Sequence, residues 1–231
     1  MRGCFRAAKL PINQRCCPLR DRDHNISLTE LALELPRILV GVRQILPGDE
    51  NALMRQEFET LKSHAVSAQR SSGAARIVAR ELLSTLGIKN AALPKSRSGA
   101  PIWPEGIVGS LAHDAHCAIA VVGSNSEIRG LGVDIEPAED LSPNVSDLVA
   151  TPRERAAVLR QPFGSKLLFA AKEATYKAVH PLDHEFLEHH DVEIDFARRQ
   201  ARVSNGRLVD LRFSVSTHVV ALALVPNDPR A

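Results

Sequence analysis

Apolar residues recur along this chain at two spacings. Ile77, Val78, Leu82 and Leu86 follow a helical period, which predicts a helix over residues 74–86, with Gly87 just past its end. Residues 166–179 read as a second helix, stopped by Pro181. Residues 28–35 read as a short helix ended by Pro36, and residues 50–72 are polar and compatible with helix. Strands are expected over 38–45, 107–111, 118–122 and 128–135. In the last third, Val192, Ile194 and Phe196 alternate, and residues 208–215 and 218–225 read as two further antiparallel strands. Thr151 is placed as an N-cap with Pro152 at N1 and Glu154 at N3, starting a helix that runs to about Arg160. Residues 93–109, rich in Pro, Gly and Ser, are expected to be loop. Helices and strands mix without a β-α-β rhythm, so the predicted class is α+β.

Composition narrows the function classes. Of 231 residues, 29 are basic and 27 acidic, so the net charge of +2 argues against a general nucleic-acid coat. Aromatic residues are 4%, too few for base-stacking platforms. The longest apolar run, Val219 to Val225, falls far short of the roughly 20 residues a membrane helix needs. Cys4, Cys16, Cys17 and Cys117 form no C-x-x-C pair, which argues against a disulfide framework and fits a cytoplasmic protein. Residues 1–25 are basic and broken by Pro11 and Pro18, and read as a disordered tail.

Three stretches could carry chemistry. In Gly132-Val133-Asp134-Ile135-Glu136, strand alternation turns Val133 and Ile135 to a core and places Asp134 and Glu136 together on the other face. Such a pair either faces water or shares a hard cation such as Mg²⁺. In Lys172-Glu173-Ala174-Thr175-Tyr176-Lys177, Glu173 and Lys177 stand four apart on a helix. They are either a surface ion pair or a metal carboxylate beside phosphate-binding lysines. In Gly109-Ser110-Leu111-Ala112-His113, the histidine follows a strand, beyond a loop bearing Lys95 and Arg97. It is either structural or a phosphate contact. The histidines from His184 to His190 lack zinc-protease spacing, because the fourth residue after His184 is Glu188.

Taken in order and spacing, these stretches resemble the 4′-phosphopantetheinyl transferase superfamily, in its larger monomeric branch and its actinobacterial members. Residues 132–136 match its G-[IV]-D-x-E pattern and residues 169–177 its [WF]-x-x-K-E-[AS]-x-x-K pattern. The Gly99-Ala100-Pro101 loop, Trp103-Pro104 and the helix around Arg76 and Arg80 are similar as well. Two features depart. Ala112 stands where the family usually has Ser or Thr, which removes a hydroxyl aimed at a coenzyme A phosphate. Residues 70–73 replace an expected E-F pair, and Glu57-Phe58 lies further back.

The resemblance implies two similar α+β halves related by a pseudo-twofold axis, residues 26–127 and 128–231, with the active site in the cleft between them. It implies transfer of 4′-phosphopantetheine from coenzyme A to a serine of an acyl or peptidyl carrier protein, releasing 3′,5′-ADP. Asp134, Glu136 and Glu173 would hold Mg²⁺, with Mn²⁺ as the alternative. Glu173 would be the base and Lys177 would serve the leaving phosphate. Arg76, His113 and Lys172 would contact phosphate, and Gly99 to Pro101 would line the adenine. The carrier would dock on residues 143–161, near Arg153, Arg155 and Arg160. The enzyme is expected to be a monomer, with no nucleic-acid or membrane partner.

Overall fold

Two antiparallel sheets of unequal size organise the chain in the computed structural model, which describes residues 37–61 and 65–227. The first contains β1 (Ile38–Gln44), β2 (Ile107–His113) and β3 (Cys117–Ser124), in the order β1-β3-β2. The second contains β4 (Ile128–Pro137), β5 (Val192–Asp195), β6 (Gln200–Val203), β7 (Leu208–Val215) and β8 (His218–Pro226), in the order β4-β8-β7-β6-β5. Four shorter or longer helices complete the site-bearing frame. They are α1 (Arg55–Glu59), α2 (Val66–Thr85), α3 (Pro143–Val149) and α4 (Arg155–Val158). A fifth, α5 (Gly164–Asp183), packs on the second sheet as α2 packs on the first. The α+β class read from the sequence is the class observed.

Strands buried on both faces hold the halves together. Along β3, Ala120 and Val122 pack under α2, while Ile119 and Val121 face the other half. Along β8, Val219, Ala221, Ala223 and Val225 face α5, while Val220, Leu222 and Leu224 join Ile119 and Val121 in a core shared by both sheets. The apolar run of β8 is therefore a strand covered on both sides.

Several boundaries differ from the sequence reading. The helix expected from residue 74 begins at Val66, because its polar first turns lie along a 3₁₀ segment (Asp49–Ala52), where Arg70 pairs with Glu50 at 2.9 Å. Pro181 lies inside α5, whose end is the left-handed His184 (φ 57°). So near a C-terminus a proline removes only one ladder bond. The helix expected over 151–160 shrinks to the four residues of α4. The Thr151 hydroxyl caps nothing; the Glu154 carboxylate turns inward and accepts the N–H groups of Thr151 and Ile194 instead. Strand β6 was missed, since Gln200 and Arg202 mask the inward pair Ala201 and Val203. The helix expected over 28–35 and the tail of residues 1–25 lie outside the described residues.

An ion pair spans the halves. His218, opening β8, lies 3.0 Å from Asp114, in the turn between β2 and β3. Hydrogen bonding to Asp114 and then to Cys117 raises the imidazole from its ordinary 6.5 to about 9. Burial opposes ionisation of Asp114, but His218 and the N–H groups of Cys117 and His116 bring it down to about 2. A raised histidine stabilises fully below its unfolded pKa and loses that contribution as pH climbs through the folded value. A lowered aspartate contributes above its unfolded value and loses it only in strong acid. Unfolding free energy should therefore drop between pH 6.5 and 9 by more in the wild type than in His218→Gln. Urea unfolding of both proteins at the two ends of that range checks it.

Candidate active site

The site begins with two glycines on β4. Gly130, Gly132 and Asp134 share one face of that strand, and α5 lies directly on it. A Cβ on Gly132 would stand 1.9 Å from the Ala174 carbonyl oxygen, and one on Gly130 would stand 2.2 Å from that of Ala178. Only bare backbone lets the helix approach this closely. The approach brings the Lys177 ammonium to Asp134, to which it donates at 2.6 Å; it also donates to the Val133 carbonyl at 3.1 Å.

The three carboxylates form a strained electrostatic group. Burial pushes the Asp134 carboxyl up; Lys177 opposes the rise and Glu173 adds to it. Burial and then the charge of Asp134 raise Glu136, which Lys166 pairs at 3.3 Å. The second carboxylate oxygen of Asp134, Oδ2, is buried without a hydrogen-bond partner. An orphaned buried oxygen amid like charges fits a hard divalent cation, which takes oxygen ligands. Among the described residues, Asp134, Glu136 and Glu173 do not bring three ligand oxygens within 4.8 Å of one another. Lysines pair with two of them: Lys177 with Asp134 and Lys166 with Glu136.

A cavity of about 640 Å³ opens beside this group, between the halves. From α5 come Glu173, Tyr176, Lys177 and His180, spaced along one helical face. From the first half come His113, Lys95, Gly99, Pro101 and Trp103. Gly99 has φ +93°, and its turn is closed by a bridge between Lys95 and Pro101. His113 keeps an exposed edge, but desolvation of its ring in the cleft, then nearby Lys177 and Lys95, lower its pKa below the usual value, although the Asp114 carbonyl opposes this. An imidazole beside two ammonium groups marks a basic corner where an anion would be welcome. Lys95 lines the cavity; Arg70 and Arg97 are not among the lining residues. The sequence reading missed Tyr176, His180 and Arg129 as lining residues. The first two could have been found by extending the Glu173–Lys177 spacing along α5.

Three expectations are corrected by burial. Lys172 is 2% exposed and points away from the cavity. Its ammonium donates at 2.8 Å each to Glu154 and to the carbonyls of Val149 and His189, so it is not available to a phosphate. Arg76 borders the cavity but is 1% exposed, and its guanidinium is committed to the Leu93 carbonyl and to Ser72. Glu57, also fully buried, lies 3.5 Å from it and accepts from Arg80 and from the Leu93 N–H. Arg76 thus anchors the loop that carries Lys95 rather than offering a free fork to phosphate. Ala112 packs into the core shared by the two sheets and does not line the cavity. Ala112→Ser should therefore leave the Michaelis constant for coenzyme A unchanged. An unpaired hydroxyl there should cost about 1–3 kcal/mol in denaturant unfolding.

Known proteins place this architecture. The family model described as the 4′-phosphopantetheinyl transferase N-terminal domain matches residues 56–123, and that of the 4′-phosphopantetheinyl transferase superfamily matches residues 130–223. The chain is 35% identical over 179 residues to the 4′-phosphopantetheinyl transferase Npt of Nocardia iowensis, covering 71% of this chain and 81% of that one. It is 42% identical over 125 residues to the 4′-phosphopantetheinyl transferase PptT of Mycobacterium tuberculosis, covering 52% of this chain and 55% of that protein. To enterobactin synthase component D of Salmonella typhimurium it is 29% identical over 137 residues, 56% of each chain. The matches thus span little more than half the length of two of these relatives and four-fifths of the third. The chain belongs to the 4′-phosphopantetheinyl transferase superfamily, with the two-half fold of that family.

Proposed function

We propose that this protein transfers 4′-phosphopantetheine from coenzyme A to a serine of an acyl or peptidyl carrier protein, with 3′,5′-ADP as the other product. The reading rests on one observation: both family models match, and a single cavity between the matched regions is lined by His113 on one side and by Glu173 and Lys177 on the other. Asp134, Glu136 and Glu173 would hold Mg²⁺ or Mn²⁺, which when bound supplies positive charge to the diphosphate.

The remaining work belongs to the chain. Glu173 accepts the proton of the carrier serine as its oxygen attacks the β-phosphorus. The bond from that phosphorus to the bridging oxygen breaks, and charge collects on the leaving 3′,5′-ADP. Lys177, released from Asp134, donates to that phosphate. His113 and Lys95 hold phosphate at the basic corner, and the loop from Gly99 to Pro101 lies along the adenine. Incubating an apo carrier protein with coenzyme A and Mg²⁺ should increase the carrier's mass by one phosphopantetheine arm. A carrier that stays unmodified, with coenzyme A bound to the protein, would reduce it to a nucleotide-binding protein.

The carrier docks on residues 143–161. Leu148 and Leu159 are 70% and 87% exposed there, beside Arg153 and Arg155, a mixture suited to an acidic helical partner. Arg153 and Arg155 pair with Glu193 and Asp147 only at 3.6 and 3.5 Å and at exposed positions, so little holds them back. Reversing both charges should raise the Michaelis constant for carrier and leave that for coenzyme A unchanged. An equal rise in both constants rules out this surface.

A further inference from the structure

Asp114, Cys117 and His218 are used by none of the chemistry above, yet they form a compact set. Their ligand atoms lie within 4.8 Å of one another. Asp114 comes from the turn between β2 and β3 and Cys117 from the first position of β3; His218 comes from the first position of β8, across the junction of the halves.

Asp114 and His218 are each already oriented by a second partner. Asp114 Oδ1 accepts the N–H groups of His116 and Cys117, both at 2.6 Å, which leaves Oδ2 facing inward. That Oδ2 is buried and lies 3.0 Å from His218 Nε2. His218 Nδ1 lies 3.1 Å from the Thr217 hydroxyl, so Nε2 is the nitrogen turned to the group. Cys117 is buried and carries a free thiol. One sulfur, one imidazole nitrogen and one carboxylate oxygen is the donor set of a borderline cation, and the carboxylate and imidazole have their other polar atoms engaged. In a tetrahedral zinc site, ligands at about 2.0–2.3 Å stand some 3.3–3.7 Å from each other, so closing on an ion needs only small shifts.

The geometry points to a second metal site, in which Asp114, Cys117 and His218 bind a divalent transition cation of the zinc class and staple the two halves together. The fourth position stays open to water, reached past His218, whose side chain is 16% exposed. This site is chemically distinct from the all-oxygen carboxylate group and does not depend on the proposed transferase activity.

Cobalt(II) is the probe, because thiolate ligation gives it a near-ultraviolet charge-transfer band. Titrating the full chain with Co²⁺ alone should give that band, saturating at a single equivalent and abolished by added Zn²⁺. Cys117→Ser should remove it, and Glu173→Gln should leave it intact. His218→Gln and Thr217→Val, which both keep the thiol, should weaken Co²⁺ binding at least about tenfold. Zn²⁺ should also raise the thermal midpoint of the wild type but not of His218→Gln. The site is disproved if the wild type shows no band. It is equally disproved if the band survives Cys117→Ser, which would assign it to Cys4, Cys16 or Cys17. Binding of Co²⁺ by both His218→Gln and Thr217→Val as tightly as by the wild type has the same force.

Discussion

Lys172→Ala lowers the unfolding free energy by about 3–5 kcal/mol, the cost of leaving a buried charge without its partner. Lys172 and Glu154 are each about 2% exposed and meet at 2.8 Å. Removing the ammonium strands the Glu154 carboxylate, which still accepts from Thr151 and Ile194 but has lost its counter-charge. It also frees the carbonyls of Val149, which ends α3, and of His189, which begins a short 3₁₀ segment. Burial lowers the Lys172 pKa, and Glu154 resists that, so the pair holds one proton in a dry site. Lys172→Met combined with Glu154→Gln should recover part of the loss, because no unpaired charge remains. Urea unfolding measures both. The folded fraction of Lys172→Ala should keep the wild-type Michaelis constant for coenzyme A. A stable variant with a raised constant would instead make Lys172 a phosphate ligand.

The next residue behaves in the opposite way. Glu173→Gln should reduce turnover of the carrier at least about 10²-fold, the scale of a lost general base, while leaving thermal unfolding unchanged or slightly improved. Glu173 is only partly buried, lines the cavity, and its charge raises the carboxyl of Asp134, so removing that charge relieves repulsion. Carrier modification followed by mass spectrometry, beside a melting curve, separates the two effects. Wild-type turnover in Glu173→Gln would remove this residue from the proposed chemistry.

These neighbours show how far the chain could be read. The alternation in Gly132-Val133-Asp134-Ile135-Glu136 dictated which side chains face the shared core, because strand period is local and β4 is regular through that stretch. Helical spacing put Glu173 and Lys177 on one face for the same reason. Helical spacing cannot say which lysine of α5 meets the cavity. That depended on Glu154, 18 residues away, folding inward to claim Lys172. Arg76 was claimed in the same way by the Leu93 carbonyl, 17 residues on.

What the amino-acid order determined by itself was the set of elements with strong local periods, the glycines that let β4 meet α5, and the types of residue able to do phosphate chemistry. Only the tertiary structure decided which charged groups are buried and spoken for. Burial and pairing depend on partners brought together from distant segments, and a desolvated charge must find such a partner wherever the fold supplies one.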